Sequence, residues 1–143
     1  MYMLNAEYIT GLIDGEGSFT VYVYDGKNTN RKRRVRVEPK FCVKFKEEDK
    51  SILYDLKKFF KCGNIYLQKD NRLNHKNCYR YEVSKRHDLL NIIIPFFKKY
   101  PVKLKSKQRD FIIFCKIMKE IELKKHLTSS GLTKLYQLKQ KMH

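Results

Sequence analysis

The sequence predicts an α+β fold, a four-stranded antiparallel sheet with helices on one face and the other face open. Three observations carry this expectation. Two pairs of segments, 18–25 with 35–45 and 65–68 with 79–84, alternate with the two-residue period of strands. Amphipathic helical stretches precede, separate and follow the pairs, giving the order α-β-β-α-β-β-α-α. The strand positions that alternate with the apolar ones are basic and interspersed with Tyr, Gln and Glu, which suits an exposed face.

The first helix spans about 5–15, with Asn5 as its cap and Tyr8, Ile9, Leu12 and Ile13 at helical spacing. Gly11 and Gly15 share one of its faces, where two glycines cost helix stability unless another backbone approaches closely. A second copy of the same helix is a candidate for that approach. In the first strand Phe19, Val21 and Val23 point inward, and Ser18, Thr20, Tyr22 and Tyr24 outward. A polar turn, Gly26 to Arg34, leads to a strand with Val35, Val37, Phe41, Val43 and Phe45 inward. Pro39 in that strand suggests an edge position or a bulge.

Ile52, Leu53, Leu56, Phe59 and Phe60 mark a helix over 49–60, which Gly63 ends or follows. Tyr79, Tyr81 and Val83 face one way in the fourth strand, Arg80 and Glu82 the other, after a turn at 71–77. A helix over about 86–97 stops before Pro101. A longer one over 106–126 carries Phe111, Ile112, Cys115, Met118, Ile121 and Leu123, and a terminal helix follows the break at 128–131. The 143 residues suit one domain, with a core over about 5–126 and a C-terminal helical extension over about 130–143.

Thirty-two Lys and Arg against fifteen Asp and Glu give a net charge of +17. That excess repels itself in a compact chain and points to a polyanion, nucleic acid first. No apolar run approaches the roughly 18 residues of a membrane span, and the charge is spread over strands rather than along one amphipathic helix. The start, MYMLNAEYITG, does not read as a signal peptide. Cys42, Cys62, Cys78 and Cys115 lack zinc-finger spacing and read as free, mostly buried thiols, hence an intracellular setting. Lys, Asn and Ile usage fits an AT-rich genome, so the expected location is an organelle (chloroplast or mitochondrion) or a bacterial cytoplasm. His75, His87, His126 and His143 are scattered, and none reads as a catalytic base.

The chemistry concentrates in Ile9-Thr-Gly-Leu-Ile-Asp-Gly-Glu-Gly-Ser-Phe19, where a helix ends in Asp14 and Glu16 and a strand begins. Carboxylates at a helix C-terminus are electrostatically unfavourable, and a bound cation reverses the penalty. Mg²⁺ suits such a site, because it takes one or two carboxylates with phosphate and water and can activate water against a phosphodiester. No Gly-Lys-Ser/Thr follows, so the segment is not a phosphate-binding P-loop.

Residues Ile9 to Gly17 resemble the motif of the LAGLIDADG homing endonucleases, in the single-motif form. The likeness continues through Pro39–Phe45, Lys50, Leu53, Phe59, Phe60 and Gly63, and through Pro101, Lys103, Leu104, Lys105, Lys107 and Gln108, covering about 6–115. It implies a saddle-shaped α-β-β-α-β-β-α unit. It also implies a homodimer paired through motif helices, with Tyr8, Gly11, Leu12 and Gly15 at the contact. Asp14 then holds the motif helix to its neighbours, while Glu16, helped by the Gly15 carbonyl, binds Mg²⁺, for which Mn²⁺ substitutes. Lys105 is the implied late catalytic lysine, with Lys103 and Lys107 as alternatives. The implied activity is metal-dependent cleavage of both strands of a long pseudo-palindromic DNA site across the minor groove, leaving short 3′ overhangs, in the service of intron homing.

By the same resemblance, Thr20, Tyr22, Tyr24, Arg34, Arg36, Glu38, Lys40, Cys42, Tyr66, Gln68, Arg80 and Glu82 form the base-reading face. Asn28, Asn30, Arg31, Lys32 and Arg33 extend it to outer bases and backbone. Two departures stand out. The acidic position holds Glu16 where Asp is more usual, and Phe45, beside Lys44, stands where a polar Gln is common. The rival readings are an RNA-binding intron splicing cofactor, or maturase, and a non-cleaving DNA-binding protein on the same scaffold.

Overall fold

A computed structural model describes residues 4–24 and 36–143. Helix α1, Ala6–Glu16, is capped by Asn5, whose Oδ1 accepts the Tyr8 N–H at 2.7 Å. Strands β1, Gly17–Tyr24, and β2, Arg36–Lys46, pair antiparallel in unbroken register, with Gly17 opposite Val43 and Tyr24 opposite Arg36. Helix α2, Ser51–Phe60, leads through Lys61 and Gly63, both at positive φ, into β3, Asn64–Gln68. Strand β4, Cys78–Val83, sits between β2 and β3, giving the sheet order β1-β2-β4-β3.

The next helical stretch is α3, Arg86–Asp88, a π segment, Leu89–Ile93, and α4, Ile94–Lys99. Pro95 has no N–H for the Asn91 carbonyl, and its ring would press on it. The wider π turn just before it, where Ile94 N–H reaches back to the Leu89 carbonyl, is the accommodation. Helices α5, Lys105–Glu122, and α6, Ser129–Gln140, complete the chain.

The sheet face carrying Phe19, Val21, Val37, Phe41, Val43, Tyr81 and Val83 is buried under the helices. Phe19 is the centre of an aromatic cluster, with Phe41, Phe97, Phe111 and Phe114 at centroid distances of 5.1–5.5 Å. The α+β arrangement expected from the alternating segments is the one observed. Pro39 holds a local edge position without a bulge, although its strand is interior from Phe41 onward. It pairs with Val21 in the interior strand β2, at a point beyond the end of β4, so no second neighbour asks for its missing N–H. One detail differs, the face of the last long helix: Ile112 in α5 and Leu123 just past its end are 54% and 55% exposed, while Ile113, Phe114 and Ile117 are buried. Phe111 to Cys115 is apolar all round, and periodicity alone cannot orient such a run.

Candidate active site and nucleic-acid interface

Helix α1 is fastened to the segment before α5 by two side chains. The buried Thr10 hydroxyl contacts the Ala6 and Tyr100 carbonyls, at 3.0 and 3.2 Å. Asp14 accepts the Lys103 N–H on both oxygens, 2.9 Å each, and the Leu104 N–H at 3.0 Å. The Lys107 ammonium returns the contact, donating to the Gly17 carbonyl. Gly17 is buried for lack of space, since a Cβ there would lie 2.6 Å from Ile13 Cγ2.

This junction joins two helix ends that carry the wrong charge for themselves. The last turn of α1 has Asp14 and Glu16 and no base; the first turn of α5 has Lys105 and Lys107 and no acid. Asp14 and Lys107 relieve each other's ends. Glu16 and Lys105 are exposed and make no ion pair or side-chain hydrogen bond among the described residues. Among those residues no three of His, Cys, Asp and Glu cluster as a metal site, so one chain offers a carboxylate and helix-end carbonyls rather than a closed cage.

The outward face of α1 exposes Tyr8, Gly11 and Gly15, with Leu12 half-buried beside them. A Cβ on either glycine would meet nothing within 4 Å. A groove of about 340 Å³ runs between this helix and Tyr100–Lys103. A larger one, about 670 Å³, lies away from the motif, near Lys57, Lys61, Gly63 and Lys85, and has no connection to Glu16.

The register gathers the strand residues singled out from the sequence onto one open face. Thr20 lies opposite Lys40, Tyr22 opposite Glu38 and Tyr24 opposite Arg36; Cys42 pairs with Glu82, Tyr66 with Arg80 and Gln68 with Cys78. Rings carry cations at the rim and centre: Arg36 lies 5.1 Å from the Tyr24 centroid, Lys40 5.5 Å from Tyr22 and Arg80 5.4 Å from Tyr66. Glu82 differs from an exposed reader. It is 7% exposed and sits between Lys40, at 3.2 Å, and Arg80 Nε, at 2.9 Å, the latter close in distance but not aligned as a hydrogen bond. Burial pulls the Lys40 ammonium down, but the Glu82 contact outweighs it and raises its pKa. Glu38 is likewise held by Arg36, at 3.4 Å.

Phe45 turns to the helix side opposite Tyr79, whereas Lys44 is exposed on the open face opposite Arg80. Val43 lies opposite Gly17, so Lys44 is the next open-face residue toward Glu16. Two further residues join the surface without a sequence signal: Asn64, opposite Glu82, and Lys139, whose ammonium lies 5.7 Å from the Tyr22 centroid. Asn28, Asn30, Arg31, Lys32, Arg33 and Arg34 lie outside the described residues. All four cysteines are free and half-buried. No helix among the described residues is long and apolar enough to cross a membrane.

Fold and junction together define a saddle-type α+β unit built around an acidic motif helix. The chain belongs to the LAGLIDADG endonuclease family, which it matches over residues 9–118. It is 35% identical over 133 residues to "Probable intron-encoded endonuclease 2" of Neurospora crassa, covering 92% of this chain and 28% of that protein. To "Probable intron-encoded DNA endonuclease 1" of Mycosarcoma maydis it is 32% identical, over 77% of this chain and 35% of the other. The chain thus spans about a third or less of these relatives. The homing endonuclease I-TnaI superposes with a TM-score of 0.82 at 34% identity, covering 99% of this chain and 90% of that one. I-SmaMI, bound to uncleaved DNA in the presence of calcium ions, superposes at 0.81 and 35% identity, over 95% of this chain but 44% of its own.

Proposed function

We propose that the chain forms half of a site-specific DNA endonuclease that hydrolyses both strands of a long pseudo-palindromic site with divalent metal, leaving short 3′ overhangs. The observation that carries this reading is the pair left over at the junction of α1 and α5. Glu16, an acid at a helix C-terminus, and Lys105, a base at a helix N-terminus, each destabilise their own helix and have no partner among the described residues. A bound cation and a bound phosphate would supply what each lacks.

The donor set fits a hard divalent ion. Glu16 offers an unpaired carboxylate, and the Gly15 carbonyl at the helix end lacks an intrahelical partner. When bound, Mg²⁺ or Mn²⁺ supplies activated water and charge stabilisation at the phosphate. Lys105 would neutralise charge developing there. Asp14 holds the scaffold, both its oxygens accepting backbone N–H groups, and leaves Glu16 as the carboxylate of the motif open to the ion.

A single Glu16 leaves the site incomplete, and the open face of α1 is where a second unit would bring another. Pairing through Tyr8, Gly11, Leu12 and Gly15 allows close backbone approach and gives a homodimer. That I-SmaMI is more than twice the length matched supports the reading, since it has room for a second such unit. The open sheet would then lie in a major groove, with Arg36 and Arg80 suited to guanine edges and Gln68 to adenine, and lysines on phosphates. Fungal relatives named as intron-encoded support a role in intron homing and a place in an organelle.

The test is a cleavage selection on a randomised duplex library with Mg²⁺ and with Mn²⁺, comparing wild type with Glu16→Gln. Site-selective double-strand cutting by wild type, lost in a variant that still binds, is the expected result. Specific binding with no cutting by wild type would favour a non-cleaving DNA-binding protein. Absence of specific DNA binding would shift the reading to intron RNA and a maturase.

A further inference from the structure

Helix α6 is not a loose appendage. Leu135 is fully buried, Thr128 caps the helix through the Gly131 N–H at 3.0 Å, Lys134 reaches Glu120 at 3.3 Å, and the His143 N–H reaches Asp110 at 3.0 Å. So anchored, the helix brings Lys139 of its last turn to Tyr22 of β1, an edge strand of the sheet. Lys139 there is half-buried, with its ammonium 5.7 Å from the Tyr22 ring centroid. Tyr22 stacks on Tyr24 at 6.3 Å and 18°, and Arg36 covers Tyr24, so a cation from α6 continues a ladder belonging to the open face.

Lys40 serves the same Tyr22 ring, yet its charge is answered by Glu82. Lys139 has no carboxylate within ion-pair distance among the described residues, and the neighbouring acids Glu38 and Glu82 are already held by other bases. Among the described residues, then, Lys139 places a positive charge beside Tyr22 that no carboxylate answers. A lysine there is a point charge without the planar fork that reads bases, which suits the sugar–phosphate backbone.

Resting on the nuclease reading above, we infer that α6 is part of the DNA-binding surface and that Lys139 contacts a backbone phosphate of the strand passing the β1 edge. The contact adds affinity without sequence preference, so the probe is a short random-sequence duplex titrated by fluorescence polarisation across a salt series. Lys139→Gln should make the slope of log affinity against log salt shallower by about 0.9 for each Lys139 on the duplex, hence about 1.8 for the two of a dimer. Across a fourfold range of salt the gap between wild type and the dimeric variant then changes by about twelvefold. Lys139→Met, which keeps an aliphatic stem of similar length, should give the same change, and Lys139→Arg should restore the slope. Lys134→Gln, which removes a base facing Glu120, should leave it unaltered. A wild-type slope in Lys139→Gln overturns the inference, as does an equal loss in Lys134→Gln or an effect confined to duplex RNA. If wild type itself does not bind DNA, the nuclease reading fails first and is recognisably the cause.

Discussion

The Asp14 carboxylate grips the backbone N–H of Lys103 with both oxygens, at 2.9 Å each, across 89 residues of sequence. Asp14→Asn turns one of those acceptors into an N–H facing an N–H. The expected cost is about 1–3 kcal/mol, typical of a hydrogen bond to a charged group left unmade. Glu16→Gln, two residues on, removes an exposed carboxylate with no partner among the described residues and should change stability by less than about 0.5 kcal/mol. Urea denaturation of the two variants side by side checks the division of labour. Equal losses would mean that Glu16 is structural after all.

Glu82 ties the two central cations of the open face together. Glu82→Gln should destabilise the fold by about 1–3 kcal/mol, less than a fully buried pair because the Lys40 and Arg80 heads reach solvent. The same change releases both cations and adds one positive charge to the face. Affinity for random duplex should therefore rise while preference for the selected site falls, as binding titrations on both duplexes would reveal. Weaker binding to random duplex would place Glu82 away from the DNA.

The fold was legible because its strands alternate cleanly. Phe19, Val21 and Val23 against Thr20, Tyr22 and Tyr24 left one face for the core and one for a ligand, and the register kept them so. The motif Ile9–Gly17 marked the site, since carboxylates at a helix C-terminus need an external reason. Long-range pairings were not legible. The resemblance implied that Asp14 holds the motif helix to its neighbours, but not that its partners would be the amides before α5, that Lys107 would be the lysine touching Gly17, or that Lys139 would lie over Tyr22. Those follow from packing. So does the facing of α5, whose run Phe111 to Cys115 offers apolar residues in every direction until β1 and α6 choose among them.

Alkaline pH should loosen the fold through its thiols. Burial, with the Glu82 charge behind it, pushes the Cys42 thiol from 9.0 up to about 11, and burial does the same for Cys115, also to about 11. Between those values the folded chain keeps protons that the unfolded chain has lost. Stability is therefore unaffected by these groups below about pH 9 and falls as pH rises toward 11. Urea midpoints at successive pH values should show this decline, and the double variant Cys42→Ala with Cys115→Ala should flatten it. A decline of undiminished steepness in the double variant would assign it to other groups. Near pH 8 both thiols should react slowly with alkylating agents, since little thiolate is present.

Gly11 separates the stability of one unit from the association of two. It lies inside α1, where glycine costs about 1 kcal/mol relative to alanine, and a Cβ there would meet nothing within 4 Å. Within a single unit, then, Gly11→Ala should be stabilising by up to about 1 kcal/mol. If the glycine is kept for close contact with a second α1, the same methyl group pushes the two helices apart, and Gly11→Leu does so more severely. Stability of the dilute protein and strength of self-association should move in opposite directions, the first measured by urea denaturation and the second by sedimentation equilibrium. Cleavage should follow association, because separating the helices separates the two Glu16 carboxylates. If Gly11→Leu associates and cuts as wild type does, pairing does not run through this face of α1, and the second carboxylate must be brought to the metal from elsewhere.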